Sequence, residues 1–505
     1  MEFLADDALE GRAPGTRGHE LAARYLRAQL REAGISGALP QSEYFQWVHL
    51  ERTLVQPEQT EFTLFRDGIS ARLRLETDYL ATQRTAGPAG QAPARLVFVG
   101  YGVTAPELNY DDYQGLDVRG AVVVALAFAA PPSFPSTIRA HYSDFDVKAS
   151  IAASHGAIGF VYVRSEEEET RFPWAMLIDW FRQGRLRWLD DGGRPFHVGE
   201  GVRFETVLSQ SGAEALFADE KQTFKSVLAG IQANQLSGFS LEKFVRFRSE
   251  LRREQFSSPN VIGFLEGSDP VLKNESVVFT AHSDHLGIGR PVEGDAIYNG
   301  AADNAAGCAV LLEVARAFSL TGRPRRSVVF AFVTAEETGL LGSDFLARHP
   351  PSAIGQVVAN INVDGGISFT PVGDVIAWGA EHSSLGEAVA RAARESGLTL
   401  SGDPFPEEGT FVRSDNYSFV KQGVPSVFVD LGFRSTQPGV DALALVKQWL
   451  ATKYHSPKDD LSQPLDYESS ERFAKFVLAL GQVVASEPER PRWKDGDFFG
   501  GRPGR

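Results

Sequence analysis

The sequence predicts an α/β protein built on a mixed, mostly parallel central sheet with helices on both faces. Three observations lead there. From about residue 255, apolar strand-like runs alternate with helical patterns. The strand-like runs end in histidines and carboxylates, and ligand sites of such sheets lie beyond the carboxyl ends of the strands. At 505 residues the chain is too long for one ordinary core, and its texture changes midway, so more than one domain is expected.

Taken in order, residues 16–34 read as an amphipathic helix with Thr16 as N-cap, Gly34 as stop, and a buried stripe of Leu21, Tyr25, Leu26, Leu30 and Ala33. Residues 40–75 read as strands, with Asp67-Gly68 as a hairpin turn. Between about 80 and 240, "ARLVFVGYGV" and "RGAVVVALAFAAPP" are β runs, and "DVKASIAASHGAIGFVYV" is a helix running through Gly156 into a strand. The run of glutamates in "EEEETRFPWAM" reads as a solvated loop. Strands follow at 276–282, 327–334, 356–364, 374–379 and 425–432, separated by helices at 304–319, 384–397 and 414–423. The tail after Glu487, rich in Gly, Pro and charge, reads as loose.

Composition narrows the function. An apolar fraction of 43% with 23% charged residues is that of a folded globular protein. A formal net charge of -15 argues against nucleic acid or anionic lipid as partner. Cys308 is the single cysteine, so no internal disulfide forms, and the compartment stays open. No run approaches the ~18 apolar residues of a membrane span. The opening "MEFLADDALEGRAPG" lacks the basic and apolar regions of a signal peptide.

The chemistry gathers at the strand ends. "AHSDHLG" supplies His282, Asp284 and His285; "YNGAADNAAG" supplies Asp303; "FVTAEETG" supplies Glu336 and Glu337; "NINVDGG" supplies Asp364; and "KYHSPKDD" adds His455 from a loop. Imidazole with carboxylate suits zinc and similar ions. The inventory is large enough for two ions sharing a carboxylate, a known hydrolytic arrangement. In that setting one of the adjacent glutamates binds metal while its neighbour acts as general base. Each residue also has a structural explanation. Asp303 is a plausible helix cap, and paired glutamates often open a solvated helix. Their coincidence is what those explanations leave over. His19, His49, His141, His155, His197, His349 and His382 are read as structural or solvated. Cys308, among small apolar neighbours, is read as a buried structural thiol. There is no G-x-S-x-G elbow, no P-loop and no dinucleotide fingerprint.

The runs "SPNVIGFLEGSDP", "ESVVFTAHSDHLG", "GDAIYNGAADNAAGCAVLLEVARAF", "RRSVVFAFVTAEETGLLGS", "NINVDGG", "SDNYSFVKQGVPSVFV" and "YHSPKDD" together resemble the co-catalytic di-zinc aminopeptidase family. That family also holds glutamate carboxypeptidases, plasma glutamate carboxypeptidase, glutaminyl cyclases and the transferrin receptor. The resemblance implies a zinc-exopeptidase fold of the phosphorylase/hydrolase-like kind. It implies two Zn2+ ions, with His282 on one, Asp303 bridging both, Glu337 and His455 each completing a different ion, and Asp364 opposite Glu337. It makes Glu336 the general base and proton donor, Asp284 the orienter behind His282, and Tyr454 an aid in polarising the scissile carbonyl. Gly365 stands where a larger apolar residue is common, and Ala121 where lysine is usual.

The middle of the chain, in "VFVGYGVTAPELNYDDYQGLDVRGAVVVAL" and "KASIAASHGAIGFVYV", resembles a protease-associated domain. The expected organisation is a peptidase domain over 1–75 and 245–490, an inserted β-rich protease-associated-like domain over 76–244, and a loose tail over 491–505. The expected activity is a metallo-aminopeptidase acting on peptides with a free N-terminus. A carboxypeptidase or dipeptidase with Arg413 as carboxylate anchor stays open, although a surface role is the simpler reading of Arg413. Glutaminyl cyclase and a receptor-like module are weaker rivals, because all five ligand types are present. The family is mostly exported. "FLADDALEGR" is similar to an internal family segment, so a trimmed N-terminus and a secreted or periplasmic precursor are expected, with a cytoplasmic protein as the open alternative.

Overall fold

Seven strands position the site: β1 (Leu251–Leu265), β2 (Glu275–His282), β3 (Ser327–Val333), β4 (Gln356–Val363), β5 (Asp374–Trp378), β6 (Thr399–Ser401) and β7 (Ser426–Leu431). The computed structural model describes residues 1–83, 92–197, 199–233 and 237–501. The strands lie in the order β1-β3-β2-β4-β7-β5-β6. The run β3, β2, β4, β7 is parallel, β1 is antiparallel to β3, and β5 is antiparallel to β7. This is the mixed, mostly parallel sheet that the sequence predicts.

Both faces are covered. On β3, Val328, Phe330 and Phe332 enter one core, while Val329, Ala331 and Val333 enter another. The first core is closed by Leu311 and Phe318 of helix Ala306–Thr321 and by Phe473, Phe476 and Leu480 of helix Tyr467–Ser486. A Cβ on Gly481 would lie 2.3 Å from Phe279, so glycine there lets the last helix seat directly on β2. The second core takes Leu346 of helix Leu341–Arg348 and Phe419 of helix Asn416–Lys421. Strands buried on both faces have no polar alternation, which is why their sequences are continuous apolar runs.

The first helix spans Arg17–Glu32, and Thr16 caps it by accepting the His19 amide. Its buried face differs from the expected stripe. Leu21 is exposed, and Gly18, Ala22 and Ala23 are buried beside Leu26 and Leu30. A Cβ on Gly18 would come within 1.8 Å of the Leu9 carbonyl. Small residues let the helix approach its neighbours closely, and hydrophobicity alone does not register that. Helices Leu341–Arg348, Ala442–Thr452 and Tyr467–Ser486, and strand β6, are additions to the sequence reading.

The chain divides into two compact units, one of residues Met1–His49, Phe256–Pro406 and Thr410–Arg505, the other of Leu50–Gln255 and Glu407–Gly409. The second holds an eight-stranded sheet in the order Ile69–Leu73, Glu61–Arg66, Phe239–Arg248, Ala94–Phe98, Val122–Leu126, Gly159–Val163, Phe204–Leu208, Tyr79–Gln83. Residues 50–75, expected with the peptidase domain, belong here, because Glu61–Arg66 pairs with Phe239–Arg248. The hairpin at Asp67-Gly68 forms as expected, with both residues at positive φ. The glutamate run is a short helix, Glu166–Arg171, and not a loop. Ser165 and Glu168 form a reciprocal capping box that buries Glu168.

The tail is not loose as far as residue 501. Trp493 donates its indole N–H to the Gly423 carbonyl at 3.0 Å, and Phe499 is fully buried beside Phe411. These aromatic anchors outweigh the Gly, Pro and charge around them. Residues 502–505 of the expected tail lie outside the described residues. Among the described residues no helix is long and apolar enough to cross a membrane.

Candidate metal centre and active site

The carboxyl ends of β2, β3 and β4 meet, as the parallel topology requires. β2 ends in His282, whose Nδ1 lies 3.2 Å from the Asp284 carbonyl. Its Nε2 therefore points outward, to Asp303 Oδ1 at 3.1 Å and Asp364 Oδ1 at 3.2 Å. Asp284 is fully buried, and one of its oxygens accepts the Glu336 amide at 3.2 Å. That bond ties the end of β2 to the turn after β3.

The turn itself is tight. Ala335 is buried with φ +56, a left-handed conformation that costs a β-carbon residue roughly 1–2 kcal/mol. The Thr334 amide donates to Asn260 Oδ1 at 3.0 Å, and the amides of Leu341 and Gly342 return to the Ala335 and Thr334 carbonyls. Glu336 and Glu337 stand at the tip. The Glu337 side chain is 4% exposed, with Oε1 2.6 Å from His285 Nδ1 and Oε2 3.1 Å from His455 Nε2. The Glu336 carboxylate makes no hydrogen bond among the described residues.

Asp303 is held by backbone. Asp459 accepts the amides of Ala302 and Asp303, both at 3.0 Å. Asn304 accepts the amides of Gly307 and Gly365 and donates to the Val363 carbonyl, tying this loop to the end of β4. The Asp303 carboxylate then faces two histidines, with Oδ1 3.1 Å from His282 Nε2 and Oδ2 3.1 Å from His455 Nε2. Asp364 is set by a polar chain: Thr280 donates to Asn362, Asn362 to Ser414, and Ser414 to Asp364 Oδ2 at 2.7 Å. His455 sits in a loop with φ +52, and the Tyr454 ring stacks on it at 3.8 Å.

Arg12 is an unforeseen part of this frame. It is fully buried, and its guanidinium donates to the carbonyls of Leu4, Ser283, Asn299 and Gly300. It fastens the opening segment to the loops that carry His282 and Asp303. Asp459, Asn304 and Ser414 were also missed as contributors. Asp459 had a signal, since it follows His455 in "YHSPKDD".

Electrostatics separates the adjacent glutamates. Burial and Asp303 push the Glu337 pKa up, but His285 and His455 outweigh them and bring it to about 2. Burial drives the Glu336 pKa well above the ordinary carboxylate range. His282 opposes this, and Asp364, Glu337 and Asp415 reinforce it. Burial disfavours charge on His455, yet Glu337 and the hydrogen bonds to Asp303 and Glu337 raise its pKa to about 10. Burial also disfavours charge on His282, and Asp364, Glu336 and Asp303 overcome it. Burial lifts Asp284 to about 6 and the Cys308 thiol to about 12, as befits a structural thiol.

Ligand atoms of His282, Asp303 and Glu337 lie within 4.8 Å of one another. Imidazole nitrogens converging on buried carboxylates make a donor set suited to zinc. Arg413, weighed above as a carboxylate anchor, is exposed.

Part of the chain is similar to known proteins. Residues 260–481 match the model of Peptidase family M28. The match is to this segment, which holds the site. A probable zinc metalloprotease of Pyricularia oryzae is 28% identical over 227 residues, covering 38% of this chain and 43% of its own length. Aminopeptidase NAALADL1 of Mus musculus is 35% identical over 134 residues, covering 25% of this chain and 16% of its own. The chain thus spans less than half the length of these curated relatives. Among solved structures, an aminopeptidase from Aneurinibacillus sp. strain AM-1 aligns over 97% of this chain and 94% of its own, at 18% identity and a TM-score of 0.49. The M28 match begins within β1, covers β2 to β7, and contains each of His282, Asp303, Glu336, Glu337, Asp364 and His455.

Proposed function

We propose that this chain is a zinc-dependent exopeptidase and, among exopeptidases, an aminopeptidase acting on peptides with a free N-terminus. The observation that carries the reading is the Asp303 carboxylate, which offers one oxygen beside His282 and the other beside His455. Two zinc ions would share it. The distances support His282 with Asp364 in one set and Glu337 with His455 in the other, so Glu337 and His455 would serve the same ion and not, as the resemblance implied, different ones. Bound zinc supplies Lewis acidity, polarising the scissile carbonyl and lowering the pKa of water.

The chain's own residues do the rest. Glu336 accepts the proton of the attacking water and delivers it to the leaving amine. Adjacent groups whose environments drive their pKa values apart divide the acid–base and ligand roles in this way. Glu337 is the one held ionised, and Glu336 the one able to carry a proton. Asp284 keeps His282 oriented from behind. The Tyr454 hydroxyl, stacked beside His455, donates to the oxygen that gains charge. The acidic surroundings favour a substrate ammonium over a carboxylate. The second unit is read as a protease-associated-like module, a reading supported by its parallel strands Val122–Leu126, Gly159–Val163 and Phe204–Leu208.

The test is Glu336→Gln. It should keep its zinc and lose turnover by about 10²–10⁴-fold. Near-normal hydrolysis by this variant would remove Glu336 from the mechanism.

A further inference from the structure

His285 is used by neither metal set above, yet it is among the most buried polar residues of the site. Its Nδ1 lies 2.6 Å from Glu337 Oε1, and 4.0 Å from Asp303 Oδ2. Its Nε2 is buried with no hydrogen-bond partner among the described residues. An ionised carboxylate only accepts, so the proton of this bond sits on Nδ1. Leaving Nε2 buried and unpaired is unfavourable, and a buried orphan of that kind calls for a compensating role.

The geometry supplies one. The ring is clamped from the side: Gly300 has φ +58, and a Cβ there would fall 2.5 Å from His285 Cγ. The fixed imidazole engages one oxygen of Glu337 and leaves the other turned toward His455 at 3.1 Å. We infer that His285 is a positioning residue that splits the Glu337 carboxylate, reserving Oε1 for itself and Oε2 for the metal. The inference rests on the zinc reading of the site but not on the peptide substrate.

The test exploits the two ends of the imidazole. An asparagine amide can occupy the place of Nδ1, whereas a glutamine amide reaches the place of Nε2. Zinc affinity is read by competition with a chromogenic chelator, with no peptide present. His285→Leu and His285→Gln should each weaken zinc binding by about 10–100-fold, and His285→Asn should restore most of that loss. Unchanged affinity in His285→Leu, or equal weakening in His285→Asn and His285→Gln, would overturn the assignment. If His285→Leu fails to fold, the contrast between Asn and Gln decides alone. Wild-type protein that binds zinc yet leaves peptides intact would defeat the peptidase reading while leaving this test intact.

Discussion

The Asp303 carboxylate places Oδ2 3.1 Å from His455 Nε2 across 152 residues of sequence. The same side chain presents Oδ1 to His282 at the same distance. Asp303→Ala should therefore affect both halves of the site together. Atomic absorption on the purified variant should find neither zinc retained after gel filtration, whereas His455→Ala should keep one. Full zinc content in Asp303→Ala would rule out a shared ligand.

Zinc uptake should release protons. In the metal-free site the pKa of His455 is about 10, so the imidazole is charged at pH 7.5, while a metal ligand must be neutral. Calorimetry in two buffers of different ionisation enthalpy should report release of at least about one proton, reduced in His455→Ala. The same shift stabilises the metal-free fold fully below pH 6.5, and that share fades as pH rises toward 10. Loss of metal-free stability over that window should be smaller in His455→Ala, with His282, whose pKa is also raised, supplying the remainder.

His19 governs the acid side. Burial, with Arg12 nearby, lowers its pKa to about 3, and its ring nitrogens face the hydroxyls of Ser258 and Ser283. The native state then binds fewer protons than the unfolded chain between pH 6.5 and 3. Its contribution is complete above pH 6.5 and declines as pH falls, by about 2 kcal/mol at pH 5. Denaturant titrations should show this slope in the wild type and a flatter one in His19→Gln. Parallel slopes would mean that His19 is protonated in the fold.

Asp459→Ala should strand the amides of Ala302 and Asp303, which it now satisfies from both oxygens. Two orphaned buried donors cost about 2–6 kcal/mol. Thermal unfolding should fall accordingly, and zinc should be stripped at lower chelator concentration. A variant of unchanged stability would mean that water or another side chain takes over both amides.

Much of this site is legible in the sequence because parallel sheets put chemistry at strand ends. His282 closes β2 and Asp364 follows β4, and both could be placed by counting apolar runs. What holds them could not. Arg12, Asn304 and Asp459 act through backbone carbonyls and amides that are distant in sequence, and such bonds leave no periodic trace. Residues 50–75 join the second unit for a related reason. Strand pairing with Phe239–Arg248 is set by register across more than 170 residues, and local pattern does not encode it. Average composition hides the order of the tail, whose path Trp493 and Phe499 individually decide.

One measurement bears most directly on the proposed activity. A peptide with both ends free is incubated with zinc-loaded protein and followed by mass spectrometry. The account predicts stepwise loss from the amino end, abolished by a chelator and restored by zinc. Loss from the carboxyl end, or an intact peptide in the presence of zinc-bound protein, would contradict it.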